Sequence, residues 1–288
     1  MISYRHHIVS LVAVFLALAI GVALGGGPLS DLGRDDQSAS ATTKAHRATV
    51  RSASFGDEFA AASAAALYDG RLRGHPVSLV RMPGASGEVV SALGAEIEAA
   101  GGSIAGSYEV QPTLTDPAEK SLVDTLGSQL ATQLGTGAVT ADASTYVRLG
   151  QLVGLAVADT EQPSADAVSV RQSLAGADLL ASPEGAVRAP VVLVVLGEPA
   201  NPAILSGLLA GLAAKAVGVV AAGDTAASAG SGDLAALRSE PVADRVATVD
   251  GADTALGQVT TVLALIRSTS VQGGSFGASG ADGAVPLK

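Results

Sequence analysis

Apolar and polar positions along the chain fall into three regimes. From Ile8 to Gly27, twenty residues pass without a charge; as a helix this stretch reaches about 30 Å, the thickness of a bilayer hydrocarbon core. From Pro28 to Gly70 the chain is polar and then alanine-rich. From His75 onward, short apolar runs alternate with amphipathic stretches, the signature of strands alternating with helices.

The first regime reads as a transmembrane anchor over residues 8–27 rather than a discarded export signal. Signal h-regions run about 7 to 15 residues. Here the apolar run is longer, and the best small-residue cleavage pattern, Ala23-Leu24-Gly25, lies at its far end. Arg5 precedes the span, while Asp31, Asp35 and Asp36 outweigh Arg34 after it. The positive-inside rule then puts residues 1–7 in the cytoplasm and everything beyond Pro28 outside. Gly21 and Gly25 form a G-x-x-x-G spacing that suits close pairing of two helices, the expected route to self-association.

Residues 28–70 read as a helical stalk. Ser, Thr and β-branched residues weaken the helix between Arg34 and Phe55, and Val50, Phe55 and Phe59 do not sustain heptads. The segment "GDEFAAASAAALYDG" is a better helix, with Asp57 as its cap and Gly70 past its last turn.

The third regime predicts an α/β domain over residues 71–270. "HPVSLVRM", the turn "PGASG", the helix "EVVSALGAEIEAAGG" and the strand "SIAGSYEV" make a βαβ unit and hence a parallel pair. Three segments then read as helices: "PAEKSLVDTLGSQLATQL", "ASTYVRLGQLVGLAVA" and "SADAVSVRQSLAGADLL". "APVVLVVLG" is the continuous apolar run of a strand buried on both faces. The Pro-started helix "PAILSGLLAGLAAKA", the strands "VGVVAAG" and "DRVATVDG", and the helix "ADTALGQVTTVLALIR" complete a Rossmann-like, mostly parallel sheet covered by helices. Glycines 273, 274, 277, 280 and 283 mark residues 271–288 as an open tail.

Composition narrows the function classes. The chain has 288 residues, 48% of them hydrophobic but only 3% aromatic, so the core packs through small side chains. Of 17 basic residues only Arg5 precedes Pro28, and all 27 acidic residues follow it, leaving the rest of the chain at −11. Such a surface repels phosphate backbones, so no nucleic-acid partner is expected. Absence of cysteine removes disulfides, thiolate nucleophiles and zinc ribbons.

Candidate chemistry is sparse. Pro83 to Gly87 follows the first strand and opens a helix, but it is not G-x-G-x-x-G, and no G-x-x-x-x-G-K-[ST] occurs. Glu109, at the end of the second strand, stands where a ribose-binding acid sits in dinucleotide folds, and any strand can end in a carboxylate. "AAGDTAASAGSG" reads as ordinary turn chemistry. No cofactor is expected. A Ser-His-Asp arrangement outside the membrane would have to use His46 or His75, one in the stalk and one at a strand start, and no catalytic residue is assigned. Asp35 with Asp36 and Glu96 with Glu98 do not converge on one helix face. Met1 and Met82 are the only methionines and His6 and His7 are adjacent, so no soft-metal site is read within one subunit.

Four stretches are more specific than composition. "MISYRHHIVSLVAVFLALAIGVALG", "YDGRLRGHPVSLVRMPGA", "ATVDGADTALGQVTTVLAL" and "GGSFGASGADGAVPL" together resemble the actinobacterial copper transport protein B family (MctB) nearly end to end. The resemblance implies a cell-envelope protein tied to copper homeostasis and a membrane, often outer-membrane, channel. It also implies a coiled-coil stalk, a pattern eroded here between Arg34 and Val50. In the ending it implies a His and a Tyr where Ser275 and Phe276 stand, so no ligand role carries over to the tail. Copper enters as a partner by resemblance alone.

Label and residues pull apart at one point. A pore needs several membrane helices or a closed barrel of alternating strands, and this pattern is one apolar helix followed by a parallel sheet. The expected function is therefore a non-enzymatic membrane protein supporting copper efflux, with any channel formed in an assembly. The alternative is an extracytoplasmic interaction module that regulates envelope-building or cell-separation machinery through protein partners.

Overall fold

A computed structural model describes residues 28–135, 137–158, 165–183 and 185–287. The chain divides into two units, Met1–Gly56 and Asp57–Lys288. In the first, the described residues belong to helix α1 (Pro28–Tyr68), which continues into the second. The expected anchor at 8–27, with Gly21 and Gly25, lies outside the described residues. Among those described, no helix is long and apolar enough to cross a membrane.

The second unit is built on a seven-stranded sheet. Its strands are β1 (Pro76–Arg81), β2 (Ser103–Val110), β3 (Leu180–Ala181), β4 (Val191–Val195), β5 (Gly218–Ala222), β6 (Val246–Val249) and β7 (Ser275–Phe276). They lie in the order β3-β2-β1-β4-β5-β6-β7, every pairing parallel except β2 with β3. Without the two edge strands this is a doubly wound order whose direction of winding reverses between β1 and β4.

The alternation of side chains along the central strands explains the layers. Val192 and Val194 of β4 point into one core with Val80, Val219, Ala221 and Val246. That core is covered by α4 (Lys120–Leu134), α5 (Thr145–Val157), α6 (Ala165–Gly176), α7 (Pro202–Ala213) and α8 (Asp233–Arg238). Val191, Leu193 and Val195 point the other way, toward α2 (Gly87–Ala99), α9 (Ala255–Ser268) and the last turns of α1. β4 is buried throughout, as a strand covered on both faces must be. A single turn, α3 (Pro112–Thr115), connects β2 to α4 through a 3-10 turn. Ser78, buried within β1, donates to the Val157 carbonyl at 2.6 Å and accepts from the Ala189 amide at 3.0 Å, so its hydroxyl is satisfied inside the core.

Four boundaries differ from the sequence reading. The α/β unit begins at Asp57, not 71, because Ala60, Ala64 and Tyr68 of the stalk are buried in its core. Asp57 does not cap the helix it was read to start. That helix runs through it, and the carboxylate accepts instead from the Leu256 amide in the first turn of α9. The helix read through Leu180 stops at Gly176; Asp178, at φ 54°, turns the chain so that β3 pairs with β2. The glycine-rich ending is not open, since β7 adds a strand to the sheet and Ser275 and Phe276 are buried.

Candidate functional site

In doubly wound folds ligands settle outside the carboxyl ends of the strands, at the reversal of winding. Here that place lies between β1 and β4, flanked by the turn Pro83–Gly87. The turn is locally well formed: the Ala85 amide donates to the Met82 carbonyl, and Ser86 caps α2 by accepting from the Val89 amide. It does not stand open. The Glu198 amide donates to the Pro83 carbonyl at 2.8 Å, drawing the loop after β4 onto the loop after β1. A Cβ on Gly197 would lie 2.2 Å from both the Ala85 nitrogen and the Pro83 oxygen, so only glycine permits this contact. The Glu198 side chain crowds Gly84, itself at φ 74°. What remains, lined by Ser86, Leu196, Gly223 and Asp224, holds about 80 Å³, against the roughly 300 to 1,000 Å³ of small-molecule sites.

Further along the same end of the sheet, the closure is electrostatic. Asp250 follows β6 and is 3% exposed. Its Oδ1 accepts from Arg238 Nη2 at 3.2 Å, and its Oδ2 accepts from the Ser279 amide at 3.1 Å and the Ser279 hydroxyl at 2.8 Å. Arg238, the last residue of α8, also donates to Thr248 Oγ1 at 3.0 Å, the Phe276 carbonyl at 2.8 Å and Ser279 Oγ at 2.7 Å. Burial alone would raise the Asp250 carboxyl. The Ser279 and Arg238 hydrogen bonds and the guanidinium charge outweigh it and hold the group below the ordinary carboxylate range. Gly277, at φ 106°, passes so close that a Cβ there would overlap Oδ1. The tail then closes on itself, with the Ser275 amide donating to Asp282 and the Gly277 amide to the Ala284 carbonyl.

Another carboxylate at this end behaves oppositely to Asp250. Asp233, at the start of α8, accepts from the Ala200 amide at 3.1 Å. Burial raises its pKa, and that one hydrogen bond only partly offsets the rise.

The residues singled out in the sequence are scattered. His46 lies exposed on α1 and His75 exposed just before β1. Glu109 pairs in register with Ala181 of β3, so the antiparallel edge strand lies alongside it. Glu96 accepts from the Tyr68 hydroxyl, joining α2 to α1, and burial followed by Glu96 itself raises the tyrosine pKa. Glu98 is exposed. Asp35 and Asp36 lie on α1. Met82 is buried in the core beneath the β1 turn. In the loop after β5, Asp224 accepts from the Ala227 amide, while Thr225 donates its amide and hydroxyl to Asp253. Among the described residues, no three His, Asp or Glu side chains group as metal ligands do. Sequence reasoning passed over Asp250, Arg238, Ser279 and Asp233. The one available signal was Asp250-Gly251 at the end of a strand, which says turn and nothing about its partners.

The chain matches the family described as "Copper transport outer membrane protein, MctB" over residues 1–286. It is 28% identical to the "Copper transporter MctB" of Mycobacterium bovis over an alignment of 299 residues, covering 92% of each chain. The proteins of the same name from two Mycobacterium tuberculosis strains match at the same identity and coverage.

Proposed function

The chain belongs to the MctB copper transport family, and from that premise we propose that it is a non-enzymatic cell-envelope protein supporting copper efflux and homeostasis. It is held to the membrane through residues 8–27, with the α/β domain outside the cytoplasm. The observation that carries the non-catalytic part is the filled reversal point: the loops after β1 and β4 occupy each other's space and leave about 80 Å³. A fold that ordinarily holds a ligand there is used here as a surface. Copper movement, in this reading, takes place in an assembly to which the chain contributes its anchor and its domain.

Growth and cell-associated copper test it. A strain lacking the protein is expected to lose copper tolerance and retain more copper, with both restored by the full chain. Unchanged copper handling would overturn the proposal.

The sheet is open, edged by two-residue strands and covered by helices on both faces. Such a fold hosts many functions, and we infer as the alternative a module that recruits or regulates envelope-building or cell-separation proteins. Calorimetry on the full chain in detergent separates the two. Stoichiometric copper binding supports direct handling, whereas no heat on copper addition, together with cell-wall enzymes in the co-purified material, supports the module.

A further inference from the structure

Strand β6 is buried along its whole length, Val246 to Val249, and without a neighbour on its far side it would offer an edge to any extended chain. β7 takes that edge. The Thr248 amide donates to the Gly274 carbonyl at 2.8 Å and the Asp250 amide to the Phe276 carbonyl at 3.3 Å. Adding a strand moves an edge outward without removing it. Backbone groups alternate sides along a strand, so those of Ser275 and Gly277 face away from β6.

All four of these outward groups are taken by the tail itself. The Ser275 amide donates to Asp282 Oδ2 at 2.8 Å, and the Ser275 carbonyl accepts from the Asp282 amide at 3.0 Å. The Gly277 amide donates to the Ala284 carbonyl at 3.2 Å, and the Gly277 carbonyl accepts from the Gly280 amide at 3.3 Å. Asp282 therefore meets Ser275 as a neighbouring strand would, with its carboxylate in place of a carbonyl. The return is close: a Cβ on Gly280 would lie 2.4 Å from the Ser275 carbonyl oxygen. Asp282 and Ala284 are exposed, so burial of their own side chains does not account for it. What the return achieves is satisfaction of the edge.

We infer that residues 277–285 are a clasp that ends the sheet and keeps copies of this chain from pairing through their β7 edges. Two identical edges are self-complementary, because an antiparallel pair about a two-fold axis satisfies the same groups on both sides. The clasp occupies those groups first. It also sets a carboxylate on the rim of each copy, and inward-pointing charge is a recognised guard of exposed edges. Its role is distinct from that of Asp250 and Arg238, which hold the tail down and leave its outer side uncovered.

Amide exchange and sedimentation of the full chain in detergent micelles test the clasp. Asp282→Pro removes the carboxylate and the N–H in one change. At low protein concentration it is expected to speed exchange at the Ser275 amide about tenfold to hundredfold. Raising the concentration should slow that exchange again, as a second copy covers the edge, and should add an association step absent from the parent. Asp282→Ala, which removes the carboxylate alone and spares the backbone, is expected to show both effects at smaller amplitude. Asp282→Asn retains an oxygen and the N–H and should match the parent. Exchange at Ser275 that is fast at every concentration in both the Pro and Ala variants would overturn the inference, and so would an amide that stays as slow as in the parent.

Discussion

Two places at the carboxyl end of the same sheet are closed by different physics. Between β1 and β4 the seal is backbone on backbone: Gly197 lies against the Pro83–Ala85 turn and one amide joins the loops. Beside β6 and β7 the seal is a buried ion pair, Asp250 with Arg238, completed by Ser279 from the tail. The first is shape and depends on a missing side chain. The second is charge and depends on every partner being present, because a buried carboxylate without its cation costs far more than the pair returns. One end of one fold thus shows both ways of joining neighbouring loops.

The comparison breaks most readily at the ion pair. Arg238→Ala leaves Asp250 buried and uncompensated and is expected to cost about 3–5 kcal/mol in denaturant melts. Its pH dependence follows from the sign of the shift. The Asp250 carboxyl is held low, so its contribution is present above the ordinary carboxylate range and lost as pH falls through the lowered value. The variant's deficit should therefore be full at neutral pH and shrink in acid. A deficit that does not change with pH would mean that Arg238 acts by packing alone.

Gly197→Ala tests the other seal. The added carbon overlaps backbone, and overpacking of this kind costs about 1–3 kcal/mol with no dependence on pH. Proteolysis should become faster at the turn between β1 and α2 while residues 275–282 stay resistant. Equal release of both segments would show the two seals to be one unit.

Ser279→Ala removes the hydroxyl that donates to Asp250 Oδ2 and accepts from Arg238 Nη1, while the Ser279 amide still donates to Oδ2. A loss of about 1 kcal/mol is expected by thermal melting. The smallest effect belongs to Asp233. Burial raises this acid, so its ionised form weighs against the folded state above the raised value, and that burden lifts as pH falls toward the ordinary carboxylate range. Asp233→Asn retains an oxygen to accept from Ala200 and is expected to raise the melting temperature slightly at neutral pH and not in acid. A lower melting temperature at neutral pH would show that the charge is needed.

How much of this the sequence displays depends on the range of the interaction. Strand β4 is legible because a run of valine and leucine has one meaning in a parallel sheet, and α7 is legible from its Asn201 cap and Pro202. β3 and β7 are two residues each and carry no period, so nothing local distinguishes them from loop. The glycines of the tail suggest freedom, yet Gly277 is glycine because Asp250, 27 positions earlier, occupies the space of its side chain. Asp57 resembles a cap in sequence, yet its carboxylate accepts from the Leu256 amide of a helix that Thr254 caps, 199 positions along the chain. The contact that fills the crevice is not visible locally, because Gly197, which closes the space against Pro83–Ala85, lies on another loop.

The central claim is that the loops after β1 and β4 close the crevice at the reversal of winding. Amide hydrogen exchange on residues 57–288 in the absence of any ligand tests it most directly. The amides of Ala85, Glu198 and Ser279 donate within the two seals and are expected to exchange as slowly as those of β4. Arg238→Ala should release Ser279 and leave Ala85 and Glu198 protected. Rapid exchange at Ala85 and Glu198 in the unaltered chain would mean that the crevice opens in solution, and the account of a sealed domain would fail.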